Sequence, residues 1–355
     1  MTRAVIGGIG AAYPAVVDQG ELWDRFFATH YGGVQRALAN RIFKNSGVRS
    51  RHAAVNPIVE DVTRWSTARR MQRYLVEALP LGKAAVTDAL SAAGVAAADL
   101  GMFVVCSCTG YVTPGLDILL ARDLGLPPDA GRLFVGHMGC YAALPGLSAV
   151  SDYVRTHDRP AALLCTELTS LHLQPPSAEA DQIVSHALFA DAAAAAVVVP
   201  ARDGYEVLDV ASVTDATSAD HMTWDVTDLG FRMSLSPQVP EVLKLHVADL
   251  VDKVLSRHGL SREDIDGWAV HPGGPRILEV IETELALPPP ALAESRGVLA
   301  EHGNCSSPTV LMVLDAITRR PAPPGSVLML AFGPGLTLYT ALLSRRSRTA
   351  SPGTS

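Results

Sequence analysis

Three residues of this chain have side chains suited to acyl-transfer chemistry and stand where secondary structure should change. Cys140 follows Gly139 and opens the apolar, Ala-rich stretch 141–156. A thiol at a helix start meets unpaired N–H groups and the positive end of the aligned peptide dipoles. Both favour thiolate relative to the free-cysteine pKa of about 8.5. His271 closes the apolar run Trp268-Ala269-Val270 and precedes Pro272-Gly273-Gly274-Pro275. Strand C-terminal ends in α/β proteins face the ligand crevice, and glycines there let a substrate approach the backbone. Asn304 lies between Gly303 and the apolar stretch 307–318. Taken singly, these are a buried thiol, a packing histidine and an N-cap asparagine. Converging on one crevice, they are a nucleophile, a base and an amide donor. Cys106-Ser107-Cys108 has no second pair or His-x-His nearby, so no zinc site is expected.

The elements that must position these residues repeat. Residues 90–106 (LSAAGVAAADLGMFVVC) and 255–271 (LSRHGLSREDIDGWAVH) match without a gap at an offset of 165. Each reads as a helix, a Gly94 or Gly259 stop in left-handed conformation, an acidic loop and a buried strand. Gly139-Cys140 then matches Gly303-Asn304, and Leu163-Leu164-Cys165 matches Met329-Leu330-Ala331. The spacing predicts helices over 80–93, 115–124, 141–156, 240–258, 275–284 and 307–318. Strands are predicted over 102–106, 161–165, 194–199, 267–270, 326–331 and 336–343. The short apolar runs suit central strands of a parallel sheet. Alternating helices and strands predict an α/β fold built from two pseudo-symmetric halves. Residues 1–200 form the half with Cys140, residues 201–343 the half with His271 and Asn304, and 344–355 a disordered tail.

Composition narrows the classes. The chain has 355 residues, is 48% hydrophobic and only 18% charged, with net charge −7. That excludes a disordered protein and gives no basic run for nucleic acid. No stretch is long and apolar enough for a membrane span. MTRAVIGGIG reads as a buried first strand and not as a signal peptide. The five cysteines, Cys106, Cys108, Cys140, Cys165 and Cys305, are odd in number in a large chain, so reduced thiols in a cytoplasmic protein are expected.

Residues 35–343 resemble type III polyketide synthases, the chalcone synthase family. The motifs that carry this are Met138-Gly139-Cys140, Ala187-Leu188-Phe189-Ala190-Asp191, His271-Pro272-Gly273-Gly274-Pro275, Gly303-Asn304-Cys305-Ser306-Ser307 and Phe332-Gly333-Pro334-Gly335-Leu336-Thr337. Cys108-Thr109-Gly110 is similar to bacterial members. The resemblance implies a duplicated thiolase fold (five layers, αβαβα), a homodimer, acyl-CoA and malonyl-CoA as substrates, and no cofactor beyond them. It implies that Cys140 accepts the acyl group, that His271 and Asn304 drive decarboxylation, and that Phe189 is one of two gatekeepers. The second gatekeeper falls on Met233, where the family has Phe. Arg41 corresponds to a residue that holds CoA phosphates, while two family lysines fall on Leu38 and Asn45. Cys108, Thr113, Thr169, Ser306 and Gly333 are implied to contact substrate. Trp224 is expected near the cavity, where the family has a small residue. Two other activities fit the triad: a thiolase-fold ketosynthase fed by an acyl carrier protein, and a cysteine thioester hydrolase.

Overall fold

The computed structural model describes residues 2–200 and 203–346. The first half contributes strands β1 (Val5–Ala12), β2 (Met102–Cys106), β3 (Gly131–Val135), β4 (Ala161–Leu168) and β5 (Asp191–Val199). The second contributes β6 (Gly204–Thr214), a hairpin of β7 (Met222–Thr227) and β8 (Gly230–Leu235), then β9 (Gly267–Val270), β10 (Ser326–Gly333) and β11 (Thr337–Arg346). The helices that matter for the site are α1 (Gly33–Lys44), α2 (Thr67–Ala93), α3 (Leu116–Leu124), α4 (Ala143–His157), α5 (Ala180–Leu188), α6 (Val239–Arg257), α7 (Pro275–Glu284) and α8 (Pro308–Thr318).

Sheet order makes the duplication visible. In the first half β2 runs parallel to β4, β4 antiparallel to β5, and β5 antiparallel to β1. In the second half β9 runs parallel to β10, β10 antiparallel to β11, and β11 antiparallel to β6. The halves meet where β1 pairs with β6 through Val5–Glu206 and Ile6–Tyr205. The sheet is therefore mixed, not parallel as the apolar runs suggested, because burial on both faces makes a strand apolar whatever its direction. Gly94 and Gly259 both take left-handed φ (64° and 67°). Beyond them Val95 N–H bonds Leu90 O and Leu260 N–H bonds Leu255 O, so the two helix stops are the same motif at an offset of 165.

Three cores separate five layers. α2 and α3 cover one face of the first half-sheet through Phe103, Val105, Ala162 and Leu164. The alternate residues Val104, Cys106, Leu163 and Cys165 face α4 and α8, which also pack on Met329, Ala331 and Ala341 of the second half-sheet. α6 and α7 cover the far side over Leu328, Leu330 and Leu342. The period-2 alternation of each strand thus feeds two cores.

Several boundaries differ from expectation. α2 begins at Thr67, not 80, with Pro80 inside it and Ser66 capping Arg69 N–H. β11 continues to Arg346, past the boundary at 343, and residues 347–355 of the expected tail lie outside the described residues. β3 has no counterpart in the second half. There Pro288-Pro289-Pro290 occupies the chain after α7 and a short 3-10 turn forms at Pro289–Leu292. At the offset of 165 the residues opposite β3 are 296–300, and they lie in a helix, Ala293–His302, so the second half has a helix where the first has its edge strand. No helix among the described residues is long and apolar enough to cross a membrane.

Candidate active site

Cys140, His271 and Asn304 line one tunnel of about 440 Å³. Each reaches it from the end of an element. Gly139 (φ 68°) turns the chain into a single 3-10 turn, Gly139–Tyr141, and α4 follows from Ala143. A side chain at Gly139 would meet Pro334 at 2.9 Å, and one at Gly333 would meet the Tyr141 ring at 2.9 Å. The Gly-Pro-Gly loop therefore packs directly under the nucleophile. His271 follows β9 and its N–H bonds Leu330 O at 2.8 Å. A Cβ on Gly273 would meet the Phe332 ring at 2.9 Å, and Phe332 in turn sits edge-on to the His271 ring at 5.5 Å. Asn304 is clamped on both sides of its backbone: its N–H donates to Leu188 O (2.8 Å) and its C=O accepts from Ala190 N–H (3.0 Å). That bridge fixes Phe189 beside Asn304.

The hydrogen bonds left unmade define the chemistry. Asn304 Oδ1 accepts from Ser306 N–H at 2.9 Å, which leaves its NH₂ as the free donor. Both ring nitrogens of His271 are buried without a partner. Buried polar groups are normally paired, so an orphaned imidazole in a cavity marks a place for substrate atoms. Burial drives His271 down to about 3, so the imidazole is neutral at pH 7.

The thiol behaves differently from the expectation at a helix start. Burial raises Cys140 to about 12; the nearby Glu167 charge adds to this and the Ser306 hydroxyl partly offsets it. Desolvation outweighs the dipole because the thiol is only 5% exposed. At rest the tunnel thus holds a neutral thiol and a neutral imidazole.

The other expected site residues divide into groups. Arg41 lines the tunnel, exposed, and Arg276 joins it there; these two and Asp181 are the only charged residues among those lining it. Phe189 borders both this tunnel and a second cavity of about 40 Å³, whose wall also includes Met233 and Thr169. Thr169 spends its hydroxyl on Ala190 O (2.9 Å) and Asp191 (3.1 Å). Cys108, Ser306 and Gly333 line neither space. Cys108 and Ser306 adjoin the nucleophile from behind, and Gly333 serves close packing. Thr113 is exposed and borders neither cavity, because its loop turns outward after β2.

Sequence reasoning passed over Glu167. It is fully buried at the end of β4 and accepts from Cys108 N–H (3.0 Å), Thr109 Oγ1 (2.7 Å) and Ser307 Oγ (2.9 Å). Burial raises it to about 7 against those hydrogen bonds. A carboxylate inside an otherwise apolar strand was the available signal. Among the described residues no group of three or more His, Cys, Asp or Glu is placed to hold a metal ion.

The profiles of the N-terminal and C-terminal domains of chalcone and stilbene synthases match residues 1–202 and 211–347. The chain belongs to this family and is a type III polyketide synthase, an acyltransferase of the bacterial kind. It is 37% identical over 321 residues to a 1,3,6,8-tetrahydroxynaphthalene synthase of Streptomyces peucetius subsp. caesius, covering 88% of this chain and 84% of that protein. It is 32% identical over 355 residues to the alpha-pyrone synthesis polyketide synthase-like Pks18 of Mycobacterium tuberculosis, covering 95% and 90%. Among solved structures, PKS-I from the brown alga Ectocarpus siliculosus superposes with TM-score 0.89 at 28% identity, covering 97% of this chain and 99% of that one. The fold is thus the duplicated thiolase fold. Membership favours chain extension over both alternatives, the carrier-protein ketosynthase and the hydrolase.

Proposed function

We propose that Cys140 takes an acyl group from a CoA thioester and extends it with malonyl-CoA by decarboxylative condensation. His271 accepts the thiol proton as sulfur attacks the thioester, then returns it to the departing CoA sulfur. The acyl group is now on Cys140 and the imidazole is neutral again. Malonyl-CoA next loses CO₂, and the electrons of the broken C–C bond form an enolate with charge on the thioester oxygen. The Asn304 NH₂ and one His271 N–H donate to that oxygen. The enolate carbon attacks the acyl carbonyl; a C–C bond forms and the bond to sulfur breaks, releasing Cys140 as a thiolate that attacks the next thioester or takes a proton from solvent. The acyl chain, longer by two carbons, is now a CoA thioester that can reload. No base need abstract a carbon-bound proton, and CoA thioesters suffice.

The observation that carries this reading is the pair of free donors, His271 and the Asn304 amide, on an otherwise uncharged tunnel floor. Arg41 and Arg276, both exposed where they line the tunnel, suit the phosphates of CoA, and Arg276 adds a cation to a chain that has Leu38 and Asn45 at two family lysine positions. A carrier protein's phosphopantetheine would meet the same two cations. The names of the relatives support a pyrone, resorcinol or other small aromatic product. A homodimer is supported by β3, a sheet edge that exposes Leu133 (42%) and Phe134 (37%). Incubation with malonyl-CoA and a set of acyl-CoA starters should release CO₂ and yield products two or more carbons longer. Cys140→Ala should end both product formation and the acyl mass shift of the intact protein. Free acid released without CO₂ would replace this reading with thioester hydrolysis.

A further inference from the structure

A groove of about 580 Å³ opens beside the core under α6 and α7 and shares no lining residue with the tunnel. It lies at the opposite ends of two elements that build the active site. β9 places Trp268 in the groove and delivers His271 to the tunnel just past its last residue. α7 starts with Pro275 and Arg276 in the tunnel, and Leu285, just past its end, lines the groove. The volume is that of a small-molecule site, about 300–1,000 Å³. Ile265, Leu285 and Leu287 supply an apolar wall, and Pro288 and Pro290 stiffen the rim. Two polar atoms stand ready there. Trp268 is 4% exposed, yet its indole N–H has no acceptor among the described residues and is not sealed in the core. Asp266 Oδ2 accepts from the N–H groups of Gly325 (3.0 Å) and Ser326 (3.1 Å), while its Oδ1 accepts from none. Two positions apart along a strand, these residues stand on one side, about 7 Å from each other. The arginines of the wall are already neutralised. Arg262 is bidentate on Asp252 (2.7 and 2.7 Å) and Arg320 on Glu294 (2.6 and 2.6 Å). Their fixed planar forks offer flat faces on which an aromatic ring stacks. With those pairs cancelled, the charges of Glu263 and Asp266 remain and oppose an anion.

We propose that this groove is a second binding site, for a neutral aromatic molecule that carries hydroxyl groups. The indole N–H calls for an acceptor and Asp266 Oδ1 for a donor. A phenol hydroxyl is both, whereas an ammonium group only donates and a carboxylate only accepts. The apolar wall and the guanidinium faces take the ring. Hydroxylated aromatics are the class of product that the proposed condensation makes; that link rests on the polyketide synthase reading above, and the binding itself does not. Because groove and tunnel have no lining residue in common, product held in the groove leaves the path of acyl-CoA open.

The test titrates the full-length protein by calorimetry at pH 7 with 1,6-dihydroxynaphthalene, its dimethyl ether and 1-naphthoate, with excess CoA occupying the tunnel. The diol should bind the wild type in the presence of CoA. The ether keeps the ring and its acceptors but has no donor for Asp266, and should bind about 10-fold or more weakly. The naphthoate should bind more weakly than the ether. Trp268→Phe keeps a ring in the core without the N–H, and should weaken diol binding by about 2–10-fold. Asp266→Asn turns an NH₂ toward the ligand in place of an acceptor, and should bring diol and ether within about 2-fold of each other. A merely structural role for Asp266 would weaken both alike. The purified product of turnover should displace the diol. The proposal is overturned if the wild type binds no diol, if it binds diol and ether equally, if CoA displaces the diol, or if the product does not compete. Failure of the polyketide synthase reading looks different: no CO₂ would leave malonyl-CoA, while the diol would still bind beside Trp268.

Discussion

Asn304→Ala isolates one step of the proposed cycle. The backbone at 304 is held by Leu188 and Ala190, so the substitution removes a side chain and leaves the neighbouring Phe189 in place. What is lost is one of two donors to the enolate oxygen. Losing a single such donor typically costs about 10²–10³ in rate, or roughly 2.7–4 kcal/mol of transition-state stabilisation. Loading should be spared, because sulfur attack draws on Cys140 and His271. The buried Ser306 N–H also loses its acceptor, at about 1–3 kcal/mol of stability. Asn304→Asp keeps an acceptor for Ser306 but has no NH₂, and so separates the chemical from the structural loss. The assay follows acylation of Cys140 by intact mass and ¹⁴CO₂ release from labelled malonyl-CoA, with Tm as the control for folding. Acylation should stay near the wild-type rate while CO₂ release falls by about 10²-fold or more in both variants. CO₂ release within about 3-fold of wild type in the alanine variant would refute the role of Asn304.

Glu167→Gln removes a negative charge that helps hold the Cys140 thiol up near 12. The sign is fixed: without that charge the thiolate is easier to form, and alkylation by iodoacetamide at pH 8 should quicken by about 3–10-fold, since one pKa unit is tenfold. Unchanged or slower alkylation would show that the two groups do not sense each other. His172, His186 and His271 are each lowered to about 3 by burial. The unfolded chain binds protons below about 6.5 where these folded imidazoles do not, so each lowers stability by roughly 2 kcal/mol at pH 5, the loss continuing toward pH 3. Glu167, raised to about 7, works the other way, since its folded form takes up a proton first and stability grows as pH falls from 7 toward 4.5. Three groups outweigh one, and Tm should be lower at pH 5 than at pH 7. A Tm that rises over that interval would mean that the three imidazoles are not buried in neutral form.

The duplication was legible because it is written in local rules. A glycine stop, an acidic loop and a short apolar strand recur at one offset, and Gly94 and Gly259 do adopt the same left-handed stop. The places of Cys140 and Asn304 in the fold were legible for the same reason, each lying a few residues before a helix that both half-sheets bury. Strand direction was not, since an apolar run reports burial on both faces and nothing about its neighbour's sense. The helix Ala293–His302, which stands where the repeat would place a second edge strand, was not read from the sequence either. The charge state of Cys140 could not. Helix position is a local property, but desolvation and the Glu167 carboxylate arrive from strands remote in sequence. Thr113 and Gly333 show the same limit: a motif preserves a loop's place in the fold without saying which of its residues border the cavity.

One physical cause links the features of the site that look unrelated. Burial raises the thiol and keeps His271 neutral, while the two arginines that line the tunnel are exposed. For a nucleophile alone this would be a poor design, because it opposes the thiolate. For decarboxylation it is favourable. In the proposed cycle the malonyl carboxylate would meet no cation among the buried groups lining the tunnel, whereas the thioester oxygen would meet two donors. Charge therefore moves, as the C–C bond breaks, from an unsupported carboxylate to a supported oxygen, and the site binds the product of that movement better than its origin. In the proposed cycle His271 takes the thiol proton as sulfur attacks, against the burial that lowers the imidazole to about 3. A cation placed on the floor would stabilise the resting thiolate and the malonyl carboxylate together. Loading would quicken while decarboxylation slowed, so the neutral floor puts its stabilisation on the harder of the two steps.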